Sequence, residues 1–263
     1  MQAVDIFRAH GIEPIVIKGV AAARYYPKGE YRVSVDVDLA VSAADFYEAD
    51  QIIKTGKMPV PVDLHRELRQ LDTVAWPDLM ANAVQLLLPD GGVQVLRPED
   101  DLRVLAVHWL TDGGSYRERL CDIFYLIDRR EPQFDWDRCL GIVSERRRRW
   151  IDCAAGVAAK YLDLDLADTP LAGAGERLPK WLVRTIEREW SAKIKHIPLE
   201  AVVHDRRMLF QQLIRRLRPN PIYATVDCEG SFDARTRIFY QIRNGIRRVM
   251  PSYRRVSAVV ANR

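Results

Sequence analysis

The sequence predicts an α+β protein, with a small mixed β-sheet domain and helices over residues 1–97 and a mostly α-helical part over 98–263. Three observations carry this. Residues 33–41 (VSVDVDLAV) alternate apolar and polar positions with period two, and 84–96 place two apolar runs around Asp90-Gly91-Gly92, as strands and a hairpin require. After Arg97 the apolar residues recur at helical spacing to the end of the chain.

The elements follow in order. Asp5 to His10 opens as a short helix that stops at Gly11, a residue suited to the left-handed position after a helix. Pro14 to Lys18 (PIVIK) is a brief β-branched run, too short for a helix and suited to a buried strand. The Ala-rich run Val20 to Tyr26 gives one or two helical turns, ended by Pro27 and Gly29. The alternating strand over Val33 to Val41 comes next, then a helix over Ala43 to Lys54 and a strand over Val60 to Leu64. Pro98 begins a helix at the position where a missing N–H costs nothing, and Glu99, Asp100 and Asp101 suit its positive end. Helices are also expected over 120–127, over 136–161 as one long element or a close pair, and over 181–192, 200–217 and 234–249. Residues 163–179, rich in Gly, Pro and Ala, are the expected loop.

The 263 residues are 48% hydrophobic and 29% charged, which excludes wholesale disorder. No apolar stretch reaches the roughly 18–20 residues of a membrane span. The amino terminus lacks a signal-like apolar core, and Cys121, Cys139, Cys153 and Cys228 form no CxxC pair. A cytoplasmic protein with reduced thiols, independent of membranes, is expected. The net charge of +4 conceals an asymmetry. Residues 204–263 hold 13 Arg, no Lys and four acidic residues, a balance of +9; the preceding 203 residues hold 27 basic and 32 acidic residues, a balance of −5. The tail is therefore a candidate for an anionic partner, and Arg on solvated helix faces is the plain alternative.

Asp36 and Asp38 are the sharpest candidates for chemistry. Carboxylates at i and i+2 of a strand project from one face, and like charges so close call for a cation such as Mg²⁺. Asp63, in the next strand-like run, would join them if the two strands are neighbours. Three carboxylates with substrate phosphates make a two-metal site, one ion activating the attacking hydroxyl and the other steadying the leaving pyrophosphate. The alternative is two exposed carboxylates on an edge strand. Lys18 and Gly19, at the end of the preceding strand, are placed to hold phosphates: an ammonium and a backbone that admits close approach. Arg32 and Ser34 stand just ahead of the aspartates, and Arg32 reads equally as an ion-pair partner. His65 shares the face of Asp63. His108 reads as a hydrogen-bonded packing residue, and Arg119 with Asp122 as a helical ion pair. Arg146 to Arg149 read as a solvated basic face, and neither Ser144 nor Cys121 has a histidine at triad spacing.

The run IVIKGVAAARYYPKGEYRVSVDVDLAV resembles the signature of the uncharacterised nucleotidyltransferase family of the DNA polymerase beta-like superfamily: strand, Lys-Gly, short helix, Arg, then Asp-x-Asp-Leu. VDLHREL, LRPEDDLRVLAVHWL with RERLCDIFYLI, and the segment from DWDRCL to ADTPL extend the resemblance over about residues 12–171. Two departures from the family pattern are a short lead before the first strand, as expected of a truncated start, and a short interval from Asp38 to Asp63. The resemblance implies that Asp36, Asp38 and Asp63 are metal ligands and catalytic carboxylates. It further implies that Lys18, Gly19, Arg32, Ser34 and, at the cleft border, Arg119 bind the nucleotide. The implied activity is Mg²⁺-dependent transfer of a nucleoside monophosphate from an NTP, ATP among them, to an acceptor hydroxyl on a small molecule, RNA or protein. Two alternatives are a toxin-type nucleotidyltransferase of a toxin–antitoxin pair acting on RNA or protein, and an inactive nucleotide- or RNA-binding protein. In the toxin reading, the basic tail holds acceptor RNA.

Overall fold

A computed structural model of the chain describes residues 2–192, 205, 207–208, 210–212 and 219–247. Residues pack into two units, Met1–His108 with Glu118–Arg177, and Trp109–Arg117 with Leu178–Arg263. The first is a mixed α+β unit built on a five-stranded sheet of order β3-β2-β1-β5-β4.

The sheet assembles from short runs. Helix α1 (Gln2–Ala9) ends at Gly11, whose φ of +75° lies in the left-handed region, and β1 (Ile15–Ile17) then enters the centre of the sheet fully buried. Helix α2 (Gly19–Ala23) follows at once. Strand β2 (Val37–Val41) runs antiparallel to β1, helix α3 (Phe46–Lys54) crosses over, and β3 (Val62–Arg66) returns parallel to β2. After helix α4 (Trp76–Ala81), the hairpin β4 (Val84–Leu88) and β5 (Gly91–Val95) closes the other side, β5 pairing parallel with β1.

Alternation divides the sheet into two faces. Val16, Leu39, Val41, Val93 and Val95 meet Val4, Phe7, Ala49 and Ile52 of α1 and α3 in one apolar core. Burying each of the larger side chains contributes about 1.5–3 kcal/mol. Asp38, Asp63 and His65, at alternate positions, share the opposite face. The core on one side thus fixes which carboxylates emerge on the other.

The expected strand over 33–41 is shorter at its start. Val33 and Val35 are 78% and 83% exposed, and pairing begins only at Val37. The neighbours explain it: β1 ends at Ile17, opposite Asp38, and β3 begins at Val62, opposite Val37. Residues 33–36 therefore have no ladder to join, and period-two alternation alone cannot make a strand there.

Helix α5 (Pro98–Thr111) opens with Pro98 as expected, but its acidic first turn does more than face the helix dipole. Glu99, Asp100 and Asp101 are buried. Glu99 accepts from the Asp135 backbone N–H at 2.9 Å; Asp100 accepts from Arg103 at 2.5 Å and Arg138 at 2.8 Å; Asp101 accepts from the Tyr25 hydroxyl at 3.0 Å and Arg24 at 3.2 Å. Arg103 also donates twice to buried Asp72. Helix α6 (Leu120–Asp128) follows in this unit. The segment 136–161 is a close pair, a π-helical turn (Asp137–Gly141) and α7 (Glu145–Leu162), started by Ser144, whose hydroxyl accepts from the Arg147 N–H. Within the basic run of α7, Arg147 is buried and donates to the Leu71 and Gln70 carbonyls rather than lying on a solvated face. No regular element occupies 163–179.

The second unit contains α8 (Lys180–Ser191) and α9 (Pro221–Asp227), the latter capped by Asn220. Residues 238–247 are helical, with Phe239, Ile242 and Ile246 exposed and Asn244 buried against Asp227. Most of the helix expected over 200–217 lies outside the described residues, as does Val249. Among the described residues, no helix is long and apolar enough to cross a membrane.

Candidate functional site

The site grows from the parallel pairing of β2 with β3. Their register sets Asp38 directly opposite Asp63, and His65 opposite Ala40 on the same face. One ligand atom each from Asp38, Asp63 and His65 lies within 4.8 Å of the others. Asp38 is buried, His65 half-buried and Asp63 exposed, so the trio runs from the interior to solvent. The short interval between the aspartates accommodates helix α3 and still returns β3 beside β2.

Lys18 closes the group from β1. Its Nζ lies 2.5 Å from Asp38 Oδ1, 3.1 Å from His65 Nε2 and 3.8 Å from Asp63 Oδ2, with the side chain 5% exposed. The lysine backbone sits at φ +53°, ψ −136°. That conformation costs a non-glycine residue on the order of 1–3 kcal/mol and persists only where the surroundings impose it. His65 Nε2 is also 3.1 Å from Asp63 Oδ2. A single ring nitrogen accepts from Lys18 or donates to Asp63, and not both at once.

The electrostatics follow from these contacts. The His65 hydrogen bond is the largest influence holding the Asp63 carboxyl well below the usual carboxylate range; burial opposes it, and the charges of His65 and Lys18 reinforce it. Burial pulls the His65 imidazole down, yet its hydrogen bonds to Asp38 and Asp63 leave it raised overall. His108 on α5 is pushed well below its ordinary value, first by burial and then by the positive charges of Lys18, Arg119, His65 and Arg32. Its Nε2 accordingly accepts from Arg119 Nη1 at 3.3 Å. Four cationic or basic groups therefore act on this one imidazole.

The remaining predicted residues fall around this group. Gly19 packs closely on Ser34: a Cβ there would stand 2.7 Å from Ser34 Oγ and 3.3 Å from Ser34 Cβ, so the serine side chain would have to move. Ser34 is exposed, and its hydroxyl donates to the Asp36 carbonyl at 2.8 Å. Arg32 makes the ion pair the sequence allowed. Its Nε donates to both oxygens of Asp122 at 3.0 and 3.2 Å, its Nη2 donates at 3.0 Å, and the Tyr26 hydroxyl reaches the same carboxylate at 2.6 Å. Asp122 thus serves Arg32 across 90 residues of sequence. Asp36 departs from the expected strand position. It stands on the bend before β2, not in the strand, and is outside the trio whose ligand atoms converge. His65 stands in the trio, and its signal in the sequence was its position two residues past Asp63 on one strand face.

The donor set of two carboxylates and an imidazole fits a divalent cation, oxygen-rich with one nitrogen. The family model for uncharacterised nucleotidyltransferases matches residues 2–56 and 55–162. The chain belongs to that family. A solved structure similar to it is an antigenic nucleotidyltransferase-like protein from Paracoccidioides brasiliensis, 15% identical, with a TM-score of 0.41 over 67% of this chain and 90% of that one. No curated protein matches the chain.

Proposed function

We propose that this protein is a metal-dependent nucleotidyltransferase that moves a nucleoside monophosphate from an NTP to an acceptor hydroxyl and releases pyrophosphate. The observation that carries the reading is the register of β2 and β3, which sets Asp38 against Asp63 with His65 beside them in a member of this family. Asp38, Asp63 and His65 would hold the divalent cation, which when bound supplies neutralisation of phosphate charge and polarisation of the reacting oxygen.

The chain's own residues do the rest. Lys18 presents an ammonium group to the phosphates, and Gly19 and Ser34 leave a narrow backbone approach beside it. Arg32 is oriented by Asp122, and Arg119 by His108, so both guanidinium groups meet the triphosphate without first having to order themselves. Asp63, the exposed carboxylate of the trio, would take the acceptor hydroxyl's proton as that hydroxyl reacts. Asp36, on the bend two residues ahead, is a candidate further ligand.

The test uses α-labelled NTP, Mg²⁺ and a cell extract as acceptor source, with pyrophosphate release followed in parallel. Asp38→Asn and Asp63→Asn are expected to abolish label transfer, and Asp36→Asn reports whether the bend residue takes part. Equal transfer by the wild type and the Asp38→Asn variant refutes the reading. A second reading, nucleotide binding without turnover, is favoured by Lys18 standing among the carboxylates and by Asp36 standing outside them. Binding of NTP with no pyrophosphate release from any acceptor mixture distinguishes it.

A further inference from the structure

The carboxylates that would hold a metal already hold a cation of the protein's own. Lys18 Nζ contacts Asp38 at 2.5 Å, His65 at 3.1 Å and Asp63 at 3.8 Å, and these are the same three residues whose ligand atoms lie within 4.8 Å of one another. An ion bonded to those atoms would stand in contact with the ammonium. Two cations drawn to the same ligand atoms repel each other and compete for them. The ammonium is also no stray surface group: its side chain is 5% exposed, and the backbone that carries it stands at φ +53°.

We propose that Lys18 is a resident counter-ion, and that a divalent ion and the Lys18 ammonium occupy the trio in exchange. The ion enters only as Lys18 leaves, and the displaced ammonium needs a new anion, which the phosphates of the incoming nucleotide supply. Free metal is then a poor ligand for the protein, whereas metal and nucleoside triphosphate each strengthen the other's binding, reciprocally as linkage requires. The exchange keeps the Asp38 and Asp63 carboxylates neutralised in both states, so the site does not fly apart by like-charge repulsion when empty of metal. This inference rests on the nucleotidyltransferase reading and adds to it an ordered dependence of metal on nucleotide.

The experiment measures Mn²⁺ binding to the full chain by electron paramagnetic resonance of the free ion, with and without an α,β-methylene nucleoside triphosphate. Wild type is expected to bind Mn²⁺ about tenfold or more tightly with the analogue than without it. Lys18→Met is expected to bind Mn²⁺ alone about tenfold more tightly than wild type, with little further gain from the analogue. Lys18→Gly, which relaxes the positive-φ backbone while removing the ammonium, gives the same readout if the Met variant does not fold. Asp38→Asn in the Lys18→Gly background is expected to remove the gain, placing the ion in the trio. The exchange is overturned if neither Lys18 variant binds Mn²⁺ more tightly than wild type. Tight Mn²⁺ binding by wild type without nucleotide, lost in Asp38→Asn, overturns the exchange and leaves the nucleotidyltransferase reading standing. Absence of Mn²⁺ binding in every variant, with analogue present, overturns both.

Discussion

Asp122→Asn removes the charge that orients Arg32 and leaves the side-chain shape almost unchanged. In the native chain Asp122 is 3% exposed and accepts three contacts from Arg32 and one from Tyr26. The Tyr26 hydroxyl is held well above its ordinary pKa, first by burial and then by that carboxylate. An asparagine at this position must turn its NH₂ toward one donor or the other, leaving a guanidinium with no anion. Breaking a buried pair costs about 3–5 kcal/mol, and Arg32, 14% exposed at its side chain, recovers part of that from water, so about 3 kcal/mol is expected. At roughly 2–4 °C per kcal/mol for a unit of this size, the transition should fall by about 6–12 °C. Urea unfolding followed by circular dichroism gives the free energy, and a double-mutant cycle with Arg32→Met isolates the pair. A single-variant loss below about 1 kcal/mol, or a cycle with no coupling, refutes the claim that Asp122 fixes Arg32.

Other outcomes follow from the same geometry. Gly19→Ala brings a Cβ to 2.7 Å from Ser34 Oγ, so Ser34 must give up its bond to the Asp36 carbonyl. Nucleotide affinity should fall, and adding Ser34→Gly should restore it in a binding titration. Burial raises the Asp101 carboxyl to about 6, so the folded chain holds a proton that the unfolded chain has released between pH 4 and pH 6. Stability contributed by this residue therefore falls as pH rises through that window. Chemical denaturation at pH 4 and pH 7 should show Asp101→Asn gaining roughly 2 kcal/mol on wild type between the two. Arg103→Met leaves Asp72 without either of its guanidinium bonds and Asp100 with only Arg138. It should cost about 3–5 kcal/mol in urea unfolding.

Much of this was legible in the residues themselves. PIVIK read as a buried strand and Asp90-Gly91-Gly92 as a hairpin turn, and β1 and the β4–β5 hairpin stand there. The face shared by Asp63 and His65 followed from period two. What the residues did not reveal were facts of partnership. VSVDVDLAV alternates along its whole length, yet only the part with neighbours on both sides becomes β2, and that leaves Asp36 on a bend. Glu99, Asp100 and Asp101 read as dipole complements because local spacing does not show that Arg97, Arg103, Arg138 and Arg24 converge on them. Arg32 has its partner 90 residues away, and no local spacing could choose between a phosphate and Asp122. Lys18 was legible as a phosphate group, but its place among the carboxylates required the sheet order β3-β2-β1 to be known.

The most direct test of the metal-dependent account is a crystal structure of the full chain with Mn²⁺ and the α,β-methylene nucleoside triphosphate, recorded at the manganese absorption edge. The account predicts an anomalous peak about 2.0–2.3 Å from carboxylate oxygens of both Asp38 and Asp63, with Lys18 Nζ drawn away from Asp38 toward a phosphate. A bound triphosphate with Lys18 still paired to Asp38 and no manganese between the two aspartates would contradict it.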